Sequence, residues 1–180
     1  MNDFKGVEHL FFDLDHTLWD FERNSKMAYA QIFEEQGISL DMDEFISVYE
    51  PLNLQFWRRF RESEITKEQL RYQRLKDTFD ACGFSVTDDQ INTMADLYLR
   101  YLPNYNHLFP NCFDEVQDKK MINSGLKPYF QYILTAETAG VKKPDQAIFD
   151  RALKDTGAKS TNSVMIGDSH EADILGARNA

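Results

Sequence analysis

HLFFDLDHT, residues 9–17, is an apolar run that stops at two carboxylates. The apolar part is too short for a helix and shows no 3.6-residue period, so it predicts a buried parallel strand. Open α/β sheets hold their ligands at the carboxyl ends of such strands. We therefore expect the functional site at Asp13 and Asp15, directly after the strand.

The spacing of Asp13 and Asp15 predicts a metal site. Two carboxylates so close at a strand end repel each other unless a cation lies between them. Mg²⁺ is a hard cation that is held by a few oxygens and by phosphate. A calcium EF-hand loop would need Gly and Glu where this chain has Leu18 and Asn24. A solvated acidic turn after a core strand remains the other interpretation of the pattern.

Composition and charge limit the partners. The chain has 180 residues, 42% of them apolar, which is enough for a core and a second small lobe. A formal charge of −10 argues against nucleic-acid polymers and anionic membranes as partners and favours a small phosphorylated ligand. Cys82 and Cys112 are too few for a disulfide framework. Because the first residues also resemble no signal peptide and no run is long enough for a membrane span, we expect a cytoplasmic protein.

Residues 21–103 carry helix signals and almost no strand signal. The expected helices begin at Asn24 or Ser25, at about Asp43, at Thr66 and at Thr87. The first ends at Gly37, the third at Gly83 and the fourth at Pro103, and the second is interrupted near Pro51. Capping boxes pair Thr66 with Gln69 and Thr87 with Gln90. Four amphipathic helices with short connections bury their apolar stripes most simply as an antiparallel bundle, so we expect a separate helical lobe here.

Residues 1–20 and 104–180 are expected to form one α/β domain around the first strand. The predicted elements after residue 104 are a helix over 113–124, a strand over 132–135, a helix from Pro144 or Asp145 to Gly157, and a strand over 163–166. Alternating strands and helices favour a parallel sheet with right-handed crossovers.

Three stretches resemble motifs of the haloacid dehalogenase-like (HAD) superfamily. FFDLDHTL, residues 11–18, resembles its first motif; GVKKPD, residues 140–145, its third; and VMIGDS, residues 164–169, with Asp173 behind it, its fourth. The resemblance implies a Rossmann-like parallel-sheet core with an inserted helical cap that selects the substrate. The segment between the motifs is most similar to bacterial HAD 5'-nucleotidases that act on pyrimidine nucleotides.

The resemblance also implies roles for single residues. Asp13 would attack phosphorus and become an aspartyl phosphate, and Asp15 would protonate the leaving group and then activate water. Asp15 would also offer its backbone carbonyl to the metal. Lys143 would supply positive charge beside the phosphoryl oxygens. Asp168 would complete the Mg²⁺ shell together with Asp13 and Asp15.

Other candidate residues have open alternatives. Thr17 would orient the site or simply close the turn, and Trp57 would stack on a base or belong to the helical core. Asp173 would orient Lys143 or a metal-bound water, or cap a helix. Lys142 is the alternative to Lys143, although the resembled pattern places the functional lysine directly before proline.

The second motif of the family is missing. It is an apolar strand that ends in Thr or Ser and should lie between Pro110 and Phe113, where the chain has only Asn111 and Cys112. Thr135 ends the nearest apolar strand-like run, but it sits where the family has a different strand. Either a break in the chain falls at this point, or another segment or chain fills the lane beside the Asp13 strand, or catalysis has been lost.

These observations favour a Mg²⁺-dependent phosphatase that acts on a small phosphate monoester, with a nucleoside 5'-monophosphate as the expected substrate. A sugar-phosphate phosphatase or phosphomutase of the same superfamily is the second interpretation. A HAD-like domain that binds phosphate without turnover is the third, because the second motif is missing.

Overall fold

The chain divides into two units. Met1–Asp20 and Asn106–Ala180 form an α/β unit, and Phe21–Tyr105 forms a helical unit. The computed structural model describes residues 5–107 and 127–180. The expected helix over 113–124 and the expected break between Pro110 and Phe113 lie outside these residues.

Four helices build the helical unit: α1 Phe21–Gln36, α2 Met42–Arg61, α3 Lys67–Ala81 and α4 Asp88–Tyr101. Each helix contacts the next along the chain, and α1 also contacts α4, so the four close around one core. A cluster of aromatic rings fills this core, and each ring is at most 4% exposed: Tyr29, Phe33, Phe45, Tyr49 and Phe79. None of the described helices has the length and apolar character needed to span a membrane.

Both predicted capping boxes are confirmed. The Thr66 hydroxyl accepts from Gln69 N at 3.2 Å while the Gln69 side chain accepts from Thr66 N at 2.8 Å. Thr87 and Gln90 exchange the same two bonds at 3.2 and 2.9 Å. These bonds satisfy backbone N–H groups that have no partner inside the first helical turn, which is why the two starts could be found from sequence.

Two predicted helix limits are wrong. α1 begins at Phe21 rather than at Asn24 or Ser25, because Ser25 lies inside the helix, where its hydroxyl is buried and bonds the Tyr98 hydroxyl at 3.0 Å. α2 continues through Pro51 without interruption. Its buried residues on both sides of the proline, from Phe45 to Phe56, share one face, and packing of that face outweighs the lost backbone bond.

A buried guanidinium lies in the helical core. Arg74 is 4% exposed, and its Nη1 donates to Asn53 Oδ1 at 2.8 Å. Its charged group also lies 5.7 and 5.3 Å from the ring centroids of Tyr49 and Tyr98. The aromatic faces partly replace the water that the cation loses on burial.

The α/β unit contains two described strands, β1 His9–Phe12 and β2 Ser163–Ile166. They pair in parallel, with His9 opposite Ser163 and Phe12 opposite Ile166. The predicted parallel arrangement is therefore confirmed. The other described elements include α5 Ala136–Ala139, α6 Gln146–Thr156, a π-helical turn His170–Leu175 and α7 Gly176–Asn179.

The predicted strand over 132–135 is wrong. These residues are irregular, and Thr135 is instead the N-cap of α5, with its hydroxyl accepting from Thr138 N at 3.1 Å. A strand needs a hydrogen-bonded neighbour, and the sheet in the described part of the chain contains only β1 and β2. Thus β1 pairs on one side only within residues 5–107 and 127–180, and the empty lane that we expect beside it stays a prediction.

Candidate active site

Asp13 is the first residue after β1, and the sheet register fixes its position. Its backbone N–H donates to Ile166 O at 2.7 Å, which extends the ladder by one residue beyond Phe12. The chain then turns, because the N–H groups of Thr17, Leu18 and Trp19 all approach Leu14 O at 2.9–3.2 Å. Asp13 therefore sits at the carboxyl end of the sheet with a tight loop directly behind it.

The end of β2 brings a second set of carboxylates to the same edge. Because Phe12 lies opposite Ile166, the residues that follow the two strands are neighbours. Carboxylate oxygens of Asp13, Asp168 and Asp173 lie within 4.8 Å of one another. Asp168 is exposed, Asp13 is partly buried and Asp173 is only 1% exposed.

Lys143 joins two of these carboxylates. Its Nζ donates to Asp13 Oδ1 and to Asp173 Oδ1. Burial raises the pKa of Asp13 above its ordinary value, and the positive charge of Lys143 offsets part of that rise. Burial alone would lower the pKa of Lys143, but Asp13 and Asp173 together hold it above its ordinary value. The lysine therefore stays charged beside Asp13.

Asp173 is fixed by the backbone that follows β2. Its Oδ2 accepts from Ser169 N at 3.1 Å, and its N–H donates to Ser169 O at 2.9 Å. Ser169 is the N-cap of the π-helical turn and accepts from Ala172 N at 3.1 Å. Asp173 is thus not the helix cap, and its carboxylate points to Lys143.

Gly167 is required for this arrangement. A Cβ at this position would overlap the Asp173 carboxylate, so a larger residue would push Asp173 away from Lys143. The sequence motifs predicted no role for Gly167 or Ser169. A glycine directly after an apolar strand is a signal of close backbone approach and could have indicated it.

The remaining candidates are not among the three clustered carboxylates, although the charge of Asp15 also raises the pKa of Asp13. Asp15 and Thr17 belong to the loop after β1, where Asp15 forms an isolated bridge with Trp19. Lys142 C=O accepts from Asp145 N at 2.9 Å, and the neighbouring Lys143 makes the ion pairs. Trp57 lies on α2 of the helical unit, is 37% exposed, and packs edge-on against the Phe60 ring at 5.8 Å.

The donor set fits Mg²⁺. The three clustered carboxylates offer only oxygen ligands, which a small hard cation prefers. We expect Asp13 and Asp168 to hold the ion, while Asp173 is almost fully buried and pairs with Lys143. The described residues of the cluster include no sulfur or imidazole group that would favour a softer metal.

Comparison with known proteins agrees with the three motifs. A family model described as haloacid dehalogenase-like hydrolase matches residues 7–180. The pyrimidine 5'-nucleotidase PynA of Streptococcus pneumoniae is 28% identical over 95% of this chain and 79% of its own length. A glyceraldehyde 3-phosphate phosphatase of Methanothermobacter thermautotrophicus is 27% identical over 97% of this chain and 82% of its own length.

A solved structure has the same fold. HAD-hydrolase YfnB from Bacillus subtilis, bound to magnesium, is 26% identical, with a TM-score of 0.84 over 97% of this chain and 85% of the YfnB chain. The relatives also contain residues that this chain lacks. PynA and this chain align over 192 positions. Those positions include 95% of the 180 residues of this chain, so about 20 positions of PynA have no counterpart here.

Proposed function

Because the chain belongs to the haloacid dehalogenase-like hydrolases, we propose that it is a Mg²⁺-dependent phosphatase that hydrolyses a nucleoside 5'-monophosphate through an aspartyl phosphate. The observation that carries the proposal is the position of Lys143 between Asp13 and Asp173 at the carboxyl end of β1. A lysine in this place offsets part of the rise that burial causes in the pKa of Asp13, and it leaves a positive charge for the phosphoryl oxygens.

Asp13 is the proposed nucleophile. A carboxylate oxygen of Asp13 forms a bond to phosphorus while the bond from phosphorus to the leaving alkoxide breaks. Lys143 stabilises the negative charge that collects on the phosphoryl oxygens, since its fixed position requires no reorganisation. Asp13 and Asp168, with the backbone carbonyl of Asp15, would hold Mg²⁺, which would neutralise part of the charge of the phosphate group.

Asp15 is the proposed acid and base. It gives its proton to the leaving alkoxide in the first step. In the second step it takes a proton from water, the water oxygen attacks phosphorus, and the bond from phosphorus to Asp13 breaks. Phosphate leaves, and Asp13 and Asp15 return to their starting states. The roles of Thr17 in orienting the phosphate and of Trp57 in stacking on a base belong to the same proposal.

Two observations favour other functions. A relative of nearly the same identity as PynA carries the name glyceraldehyde 3-phosphate phosphatase, which keeps sugar phosphates as the second substrate class. β1 has a single described neighbouring strand, which favours a domain that binds phosphate without turnover. In the family, the strand that carries a phosphate-binding hydroxyl would lie on the other side of β1.

The test is a phosphate-release screen of the 180-residue chain over nucleoside monophosphates and sugar phosphates, with Mg²⁺ or with EDTA. We expect release from a pyrimidine 5'-monophosphate that requires Mg²⁺. Faster release from a sugar phosphate would support the second substrate class. If no ester is hydrolysed but phosphate or a nucleotide binds, the chain is a binding domain.

A further inference from the structure

Among the residues that the structure describes, no strand lies along the second edge of β1. In a parallel pair, alternate residues point their N–H and C=O groups toward the neighbouring strand. Asp13 N bonds Ile166 O at 2.7 Å, so the odd-numbered residues of β1 point toward β2. Leu10 and Phe12 therefore direct their N–H and C=O groups to the opposite side. Within residues 5–107 and 127–180, no hydrogen bond reaches those groups.

A slot runs along this edge. Leu10 is 52% exposed and Phe12 36%, although both are large apolar residues of a strand. A cavity of about 400 Å³ is lined by β1, by residues 132–136 and by apolar side chains of α6 such as Ile148 and Phe149. Met165 of β2 and the active-site residues Asp13 and Lys143 line the same cavity. The slot thus combines two backbone donors and two backbone acceptors with apolar walls.

We propose that this slot binds an extended peptide strand of another polypeptide, which adds to the sheet beside β1. Main-chain hydrogen bonds supply the affinity in this kind of recognition, and pockets for alternate side chains supply the selectivity. An apolar small molecule would fit the walls but leave the N–H and C=O groups of Leu10 and Phe12 unsatisfied, which is costly in an apolar site.

The length of the chain supports a strand from outside. About 20 positions of PynA within the aligned region have no counterpart here, which is more than the five or six residues of an average strand. The aligned region of PynA is therefore longer than that of this chain by more than the length of one average strand.

Charge indicates which strand fits. The formal charge of the chain is −10, so two copies repel each other, and a neutral or basic segment is a better occupant than a second copy. Side chains alternate along a strand, so the face of the segment toward Ile148 and Phe149 must be apolar.

The first test uses a fluorescent, capped pentapeptide that alternates valine and lysine, titrated against the full chain by fluorescence anisotropy. It presents an apolar face, a basic face and free backbone amides. The matched control has the same side chains with every internal amide N-methylated. We expect saturable binding of the first peptide and at least about 20-fold weaker binding of the control, because two hydrogen bonds are lost. Equal binding of both peptides, or no binding of the first, overturns the proposal.

The second test follows amide hydrogen exchange at β1. We expect the N–H groups of Leu10 and Phe12 to become protected only when the peptide is added, whereas that of Phe11 is protected throughout. Protection without peptide that grows with protein concentration would place a second copy in the slot. Protection without peptide at every concentration would place a segment of the same chain there. Either result overturns the proposal.

Variants of Leu10 link the two tests. Leu10→Pro removes a donor that faces the slot and leaves the ladder to β2 intact, and Leu10→Ala controls for the lost side chain. We expect Leu10→Pro to bind the peptide about fivefold more weakly than Leu10→Ala. Equal affinities contradict the proposal, and the exchange experiment on the unmodified chain decides the matter if the proline variant does not fold.

Discussion

Phe45 and Phe12 are the same residue type in the two units, but their surroundings differ. Phe45 is fully buried, and its ring contacts those of Tyr29, Phe33, Tyr49 and Phe79. Phe12 is 36% exposed, and among the described residues its only ring contact is with Phe130 at 6.0 Å. The helical unit surrounds its apolar side chains with its own helices, whereas β1 has a strand on only one side within residues 5–107 and 127–180.

The backbone explains the difference. A helix satisfies its N–H and C=O groups within its own segment, so its side chains only have to pack. A strand satisfies only half of its backbone groups with one neighbour. The pairing of β1 with β2 places Asp13 beside the residues that follow β2, and Lys143 pairs with both Asp13 and Asp173.

The largest expected effect concerns the chemistry of the α/β unit. Asp13→Asn should lower phosphate release by at least about 10⁴-fold, because it removes the charge of the nucleophile at nearly constant shape. The free energy of unfolding should stay close to that of the unmodified chain. Asp150→Asn, an exposed change on α6, is the control and should keep full activity. Release by Asp13→Asn at the unmodified rate would disprove the covalent mechanism.

Truncation of the two phenylalanines tests the comparison directly. Phe45→Ala should lower the free energy of unfolding by about 3–5 kcal/mol, because it empties a closed aromatic core. Phe12→Ala should cost only about 1 kcal/mol, since the ring is already partly in water. Urea denaturation of both variants measures the difference. Equal losses would mean that β1 is covered as completely as the helical core.

Asp168→Ala probes the metal end of the site. We expect at least about tenfold weaker Mg²⁺ binding, because one carboxylate ligand of a small oxygen set is lost. Isothermal titration with Mg²⁺ measures the affinity, and Asp150→Ala is the control with the same loss of charge on the same unit. An unchanged affinity would remove Asp168 from the metal site.

The smallest expected effect lies in the helical unit. Thr66→Ala should cost about 1 kcal/mol of unfolding free energy, since it removes the acceptor for Gln69 N. Thr66→Ser keeps that acceptor and should retain most of the stability. A loss of the same size in both variants would show that the methyl group of Thr66, and not the hydroxyl, stabilises the start of α3.

Local signals predicted the helical unit well. The capping boxes at Thr66 and Thr87 and the glycines after α1 and α3 mark helix ends through bonds and dihedral angles within a few residues, with φ of 63° at Gly37 and 64° at Gly83. The predicted interruption at Pro51 was wrong because a non-local effect decided the outcome. The buried face that extends along all of α2 outweighs one missing backbone hydrogen bond. The strand expected at 132–135 failed because pairing depends on distant residues.

The sequence by itself determined the two kinds of secondary structure, the edge of the sheet that carries Asp13 and Asp168, and the family. Order along a chain suffices for these, since strand ends, helix caps and motifs are local. Only the tertiary structure decided that Lys143 rather than Lys142 bridges Asp13 and Asp173, that Asp173 is held by Ser169, and that Gly167 makes room for it. These contacts join residues up to 130 positions apart, and only the packing of the folded chain sets their distances.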